Sequence, residues 1–187
     1  YGRGKYNDFN TFYYQAASGT SGGSSGAPVV NIDGEVVALN AGANSSAASS
    51  FFLPLDRIDR ALKELQKEDV VSRGTLQTTF QSKAFDELRR LGLTPETERR
   101  ARSKHQQQTH MLAIGSVVPD SQAAGKLAPG DILVGVNGEL ITEFVPLEAI
   151  LDAHVGQEID IEVERGGKHI VSSIRVDDLH AITPDEY

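Results

Sequence analysis

Cysteine and tryptophan are absent from this chain, and methionine occurs once. Without cysteine there is no disulfide framework, no thiolate nucleophile and no thiolate-ligated zinc, though the compartment is left open. Aromatic residues make up only 6% of the chain, so its core must be mainly aliphatic. Positive charge is also scarce: 18 Lys and Arg face 26 Asp and Glu, for a net charge of −8. That balance argues against a nucleic-acid partner held through its phosphates. No apolar run approaches membrane-spanning length, so no membrane partner is expected either. The chain opens Tyr1-Gly2-Arg3-Gly4-Lys5 with no initiator methionine. A fragment of a longer protein is the expectation, and missing targeting signals then carry little weight.

What is present is ample for folding. The 187 residues are 39% hydrophobic and 24% charged, which suits one large domain or two small ones. Residues 8–16, with Phe9, Phe12, Tyr13 and Tyr14, have aromatic strand propensity. A Gly/Ser loop follows over 18–26. Residues 29–39 read as two strands around Asp33-Gly34, a dipeptide suited to a tight hairpin. A second loop of small residues over 40–50 leads to a short strand at 51–55. Asp56 is placed to cap a helix from Arg57 to about Glu68, with Ile58, Leu62 and Leu65 on one face.

The composition changes near 68–72. Beyond it, strands are expected at 75–81, 111–118, 131–136, 158–164 and 170–176. Phe85, Leu88 and Leu91 suit a short helix ended by Gly92, and Leu147, Ile150 and Leu151 mark another. Gly166-Gly167 is a hairpin turn, and residues 95–108 are charged and polar. Short strands with one or two helices suggest a small, partly open barrel.

The richest stretch is Gly23-Ser24-Ser25-Gly26-Ala27-Pro28 with the alternating segment after it. Residues 20–26 alone would read as a flexible linker. Ala27-Pro28 and a hairpin at fixed distance argue instead for a loop anchored to a β-scaffold, which a nucleophile needs. A Gly-x-Ser-Gly turn lifts a hydroxyl clear of the backbone and can aim two N–H groups at one point, the requirement of an oxyanion hole. Ser21 and Ser24 compete with Ser25 on chemistry alone. Ser25 alone has Gly two residues before it, Gly directly after and Pro three after.

From Gln15 to Asn40 the wording resembles the HtrA/Deg family of serine proteases, and within it the fungal nuclear branch of pro-apoptotic proteases. The family's Gly-Asn-Ser-Gly-Gly-Pro stands here as Gly-Ser-Ser-Gly-Ala-Pro. The resemblance implies Ser25 as nucleophile, with the backbone N–H groups of Gly23 and Ser25 as the oxyanion hole. It further implies a substrate pocket flanked by Leu39, Asn40, Ala41, Gly42 and Phe52. These supply no charge, so a small or aliphatic substrate side chain is expected.

The family's His and Asp come before the serine. Here no histidine precedes Ser25, and Asp8 is the only carboxylate upstream of it. His105, His110, His154, His169 and His180 all lie in the later part. Each is expected at the surface, and the spacing of His105 and His110 does not suit a metal pair, so no metal or other cofactor is assigned. A serine hydroxyl without a base is a poor nucleophile near pH 7. Residues 1–68 are therefore expected to be the C-terminal part of a trypsin-like protease domain, inactive when isolated.

Residues 69–178 resemble an HtrA-type PDZ domain. The carrying stretches are 72–78, 114–124 and Leu127-Ala128-Pro129-Gly130-Asp131-Ile132-Leu133, followed by Asn137-Gly138. The resemblance implies an extended peptide added as a strand, its C-terminal carboxylate held by Gly74, Thr75, Leu76, Gln77 and Thr78. Leu147, Ile150 and Leu151, with His154 nearby, would form the helical wall. Gln77-Thr78 departs from the usual Gly-aliphatic pair, and a PDZ domain that is only structural is the competing reading. Arg89-Arg90 and residues 96–104 form a basic cluster that reads as a solvated helix face.

The expected fold class is mainly β: a partial chymotrypsin-like β-barrel followed by a PDZ domain, with 179–187 starting a linker. The expected function is a piece of an ATP-independent serine endopeptidase acting on polypeptides and binding protein C-termini. The alternative is a non-catalytic peptide-binding scaffold of protease ancestry. A nuclear location follows from the resemblance alone, and any homo-oligomer would form through regions outside this chain.

Overall fold

The computed structural model describes residues 12–17, 19, 23–44, 49–67, 70–104 and 108–182. Asp8, Ser21 and His105 lie outside the described residues. The chain is mostly β and divides into two compact units, one up to Val71 and one from Ser72 onward.

The first unit holds strands β1 (Tyr14–Ala16), β2 (Pro28–Val30), β3 (Val36–Asn44) and β4 (Ser49–Pro54), then helix α1 (Leu55–Gln66). The strands form an antiparallel sheet in the order β1-β4-β3-β2. The hairpin between β2 and β3 is wider than Asp33-Gly34 alone predicts. Its five-residue loop is organised by Asn31, whose side-chain oxygen accepts from the N–H groups of Asp33 and Glu35, both at 2.9 Å. An Asx turn of this kind replaces a tight two-residue turn because the side chain mimics a backbone acceptor. β3 also runs on to Asn44, through residues expected to be loop. Helix α1 starts earlier than expected: Pro54 occupies the N-cap position and makes no side-chain cap, while Asp56 sits within the first turn. There its negative charge still complements the helix N-terminus.

In the second unit, β6 (Thr78–Ala84), β7 (His110–Val117), β8 (Ile132–Val136), β10 (Glu158–Arg165) and β11 (Lys168–Arg175) pair antiparallel in the order β11-β10-β8-β7-β6. β9 (Glu139–Leu140) adds to β8, and β5 (Gly74–Thr75) pairs with β12 (Asp177–Asp178). Helices α2 (Phe85–Leu91), α3 (Pro95–Lys104), α4 (Phe144–Ala153) and α5 (Leu179–Ile182) complete it. All five residues of β8 are buried, as a continuous apolar run in a central strand should be. Leu112, Leu133, Val136, Leu147, Leu151, Ile161 and Val163 belong to the main core. Phe85, Leu88, Ala101, Met111 and Ile132 form a second cluster.

Two expectations change here. The strand expected at 75–81 is broken at Leu76-Gln77, where Gln77 has φ of +53°. The polar stretch 95–108 contains α3, which is not wholly solvated. Thr97, Glu98 and Ala101 are buried, and Glu98 binds both Arg89, at 2.6 and 2.8 Å, and Arg102, at 2.9 Å. Hydrogen bonding from Arg89 holds the Glu98 carboxyl below its ordinary pKa. The Arg102 guanidinium also lies over the Phe85 ring, 4.3 Å from its centroid. Arg89 and Arg102 are thereby tied to the fold, while all the basic residues of the cluster stay exposed.

Candidate functional site: the Ser25 loop and the groove of the second unit

Ser25 is exposed at the tip of a turn closed by the Ala27 N–H donating to the Ser24 carbonyl at 3.1 Å. Gly23 and Gly26 flank it with φ of +95° and +82°. A Cβ at either position would meet nothing within 4 Å, so glycine is demanded by backbone conformation and not by crowding. Pro28 opens β2 directly afterwards and pairs with Leu39. Beside it, the Gly26 N–H donates to the Asn40 carbonyl at 2.7 Å, and the Asn40 N–H donates to the Ala27 carbonyl at 2.9 Å. The Asn40 side chain donates from Nδ2 to the Ser24 carbonyl at 2.9 Å. The Ser25 turn is thus laced to β3 on both sides of Ser25.

Leu39, Asn40, Ala41 and Gly42 all lie on β3, next to Phe51–Leu53 on β4. The register pairs Leu39 with Leu53, Asn40 with Phe52 and Gly42 with Phe51, leaving Ala41 as the extra residue of a bulge. Ala41 is exposed, Leu39, Gly42 and Phe52 are half-buried, and Asn40 is buried at 5% exposure. Among the described residues the Ser25 hydroxyl makes no hydrogen bond. The described histidines of the second unit include three with ring contacts: His110 to the Thr109 hydroxyl, His154 to the Ile150 carbonyl and His169 to Glu162.

In the second unit, β6 is an edge strand, with β7 on one side only. The segment leading into it, Gly74–Thr78, is bonded within itself and to β12. The Gln77 N–H donates to the Thr75 hydroxyl at 2.9 Å, and the Gln77 side-chain amide donates to Asp177 at 2.9 Å. The Thr78 hydroxyl donates to the Leu76 carbonyl at 3.1 Å. On α4, Leu147 and Leu151 are buried in the core and Ile150 packs half-buried against it.

A cluster that the sequence reading did not find ties the start of β5 to α4. Arg73 reaches Glu148 at 2.8 Å and Asp152 at 3.3 Å, and Asp152 also accepts from the Gly74 N–H at 2.8 Å. Burial, with Asp152 adding repulsion, pushes Glu148 up to about 7, although Arg73 pulls the other way. The signal in the sequence is the pair of acids four apart on a helix, 148 and 152, with a lone arginine just before the loop.

The PDZ domain family model matches residues 114–165. Protease Do-like 7 of Arabidopsis thaliana is 53% identical over the whole chain, which covers 18% of that protein. The pro-apoptotic serine protease NMA111 of Coccidioides immitis is likewise 53% identical over the whole chain, again covering 18% of its length. Among solved structures, the HtrA-type protease AlgW with tripeptide superposes with a TM-score of 0.56 at 23% identity. It covers 98% of this chain and 58% of that one. AlgW with decapeptide gives 0.52 at 20% identity, covering 81% and 44%. These structural likenesses speak to the fold. The chain spans under a fifth of the length of the curated relatives it matches. With 53% identity along its full length, the chain is similar to a segment of the serine proteases named Do-like 7 and NMA111.

Proposed function

We propose that this chain supplies the nucleophile and oxyanion loop of an ATP-independent serine endopeptidase, together with a peptide-binding PDZ domain. The observation that carries the reading is the Ser25 turn: an exposed serine between two positive-φ glycines, held to β3 by three hydrogen bonds with Asn40, two donated and one accepted by it. Ser25 attacks the substrate carbonyl, and the N–H groups of Gly23 and Ser25 receive the oxyanion. The base that accepts the Ser25 proton, and the carboxylate that orients it, come from elsewhere in the full protein. No histidine precedes Ser25 in these residues. Leu39, Ala41 and Phe52 line an uncharged pocket for a small or aliphatic side chain.

The substrates are polypeptides, and the β6 edge beside α4 takes an extended peptide as an added strand. The AlgW structures, which carry a decapeptide and a tripeptide, support peptide binding by a protein of this fold. A nuclear location is part of the same proposal. The test is cleavage of unfolded casein. The full-length protein is expected to cut it, and the Ser25→Ala protein and the isolated chain are expected not to. Equal cleavage by wild type and Ser25→Ala would leave the scaffold reading in its place.

A further inference from the structure

We infer that Asn40 is a positioning residue for the oxyanion hole, acting through the Ser24–Ser25 peptide; this rests on the proposed role of Ser25. The peptide bond is planar and trans, so its C=O and N–H point in opposite directions within one plane. The described backbone has no cis peptides. Whatever fixes the Ser24 carbonyl therefore fixes the direction of the Ser25 N–H, one of the two donors an oxyanion would meet. Two donors fix that carbonyl: the Ala27 N–H at 3.1 Å and Asn40 Nδ2 at 2.9 Å. The first belongs to the turn itself. The second arrives from sixteen residues along the chain and ties the peptide plane to β3.

Three further observations single out Asn40. The Gly26 N–H is bound to the Asn40 carbonyl and the Ala27 N–H to Ser24, so both donors downstream of Ser25 are already engaged. Donors for a substrate oxyanion must then come from Ser25 and residues before it, which raises the demand on the orientation of the Ser24–Ser25 peptide. The side chain is buried, at 5% exposure, and its orientation is unambiguous, because a carbonyl can be met only by the NH2 end of an amide. Its other end, Oδ1, is buried with no hydrogen-bond partner among the described residues. A buried acceptor left unpaired costs stability, so an apolar residue of similar size would serve the sheet as well or better. What an apolar residue would not supply is the hold on Ser24. Pairing opposite Phe52, across from the bulge at Ala41, sets the amide at this depth under the loop.

The experiment uses the full-length protein with Asn40→Asp and Asn40→Leu, both close to asparagine in size and both lacking the Nδ2 donor. Rates are expressed per folded molecule, from the native thermal transition of each variant. Alongside, Ser25→Ala is assayed, and a peptide aldehyde that forms a tetrahedral adduct serves as inhibitor. Misaiming one oxyanion donor is expected to lower kcat by about 10- to 100-fold, with KM within about threefold. Aldehyde affinity is expected to fall by a similar factor, because only the adduct carries the oxyanion. The inference is overturned if KM rises while kcat holds, which would make Asn40 a substrate contact. It is also overturned if activity falls only in proportion to lost folded protein, or if aldehyde affinity is unchanged. Full activity in Ser25→Ala would instead sink the underlying reading of Ser25, and the inference with it.

Discussion

Arg73 Nη2 lies 2.8 Å from Glu148 Oε2 across 75 residues of sequence, pinning the entrance of β5 to the helix opposite it. Asp152 shares the same guanidinium. One cation thus faces two buried carboxylates, and Glu148 is the one whose charged form is disfavoured.

This has a consequence for pH. Folded Glu148 keeps its proton up to about 7, whereas its ordinary value is 4.5. Between those values the folded state binds more protons than the unfolded one, so stability falls as pH rises through the window. Glu148→Gln removes that dependence. Over the window the wild-type chain is expected to lose about 1–3 kcal/mol more stability than the variant. Urea unfolding of both proteins at several pH values checks this; parallel pH profiles would contradict it.

Gly74 is the closest approach between β5 and α4. A Cβ there would stand 2.1 Å from the backbone carbon and oxygen of Leu151. Backbone on both sides cannot yield as a side-chain tip can, so Gly74→Ala is expected to cost at least about 3 kcal/mol. Moving α4 away from β5 should also weaken peptide binding. Thermal unfolding of the second unit measures the first effect, and unchanged stability would show that the two elements separate freely.

Thr75 holds the Gln77 N–H with its hydroxyl, at the loop proposed to receive a C-terminal carboxylate. Thr75→Val keeps the shape and releases that donor. The free protein should lose about 1 kcal/mol through an unsatisfied N–H. Affinity for a peptide ending in a free carboxylate should rise several-fold, and that for its C-terminal amide should not. Calorimetric titration with the two peptides separates these outcomes, and equal affinities would take the Gln77 N–H out of carboxylate recognition.

Glu164 is 3% exposed and accepts from the Thr94 N–H, the Thr94 hydroxyl and the Thr97 hydroxyl at 2.9, 2.8 and 2.6 Å. It fastens α3 to β10. Glu164→Ala strands those donors and should cost about 2–4 kcal/mol. Glu164→Gln should recover part of that loss, and equal melting temperatures for wild type and Glu164→Ala would contradict the role.

The contrast among these residues shows what sequence patterns carry. Residues 132–136 are legible because a central strand buried on both faces is a run of apolar residues between turns. The Ser25 turn is legible because its glycines answer a local backbone demand. Asp33-Gly34 was less informative than its neighbour Asn31, since a side-chain acceptor reset the turn. Glu98 and Glu164 look like surface acids until tertiary partners appear. The Arg73 cluster and the grip of Asn40 on Ser24 depend on contacts 16 to 79 residues apart, which no local periodicity encodes.

The central claim is that Ser25 is the nucleophile of the parent protease. The most direct measurement is covalent labelling of the full-length protein by a serine-directed peptide phosphonate, with the modified residue located by mass spectrometry. The account predicts one phosphonate adduct, on Ser25, and none in Ser25→Ala. Labelling at Ser21 or Ser24, or undiminished labelling of Ser25→Ala, would contradict it.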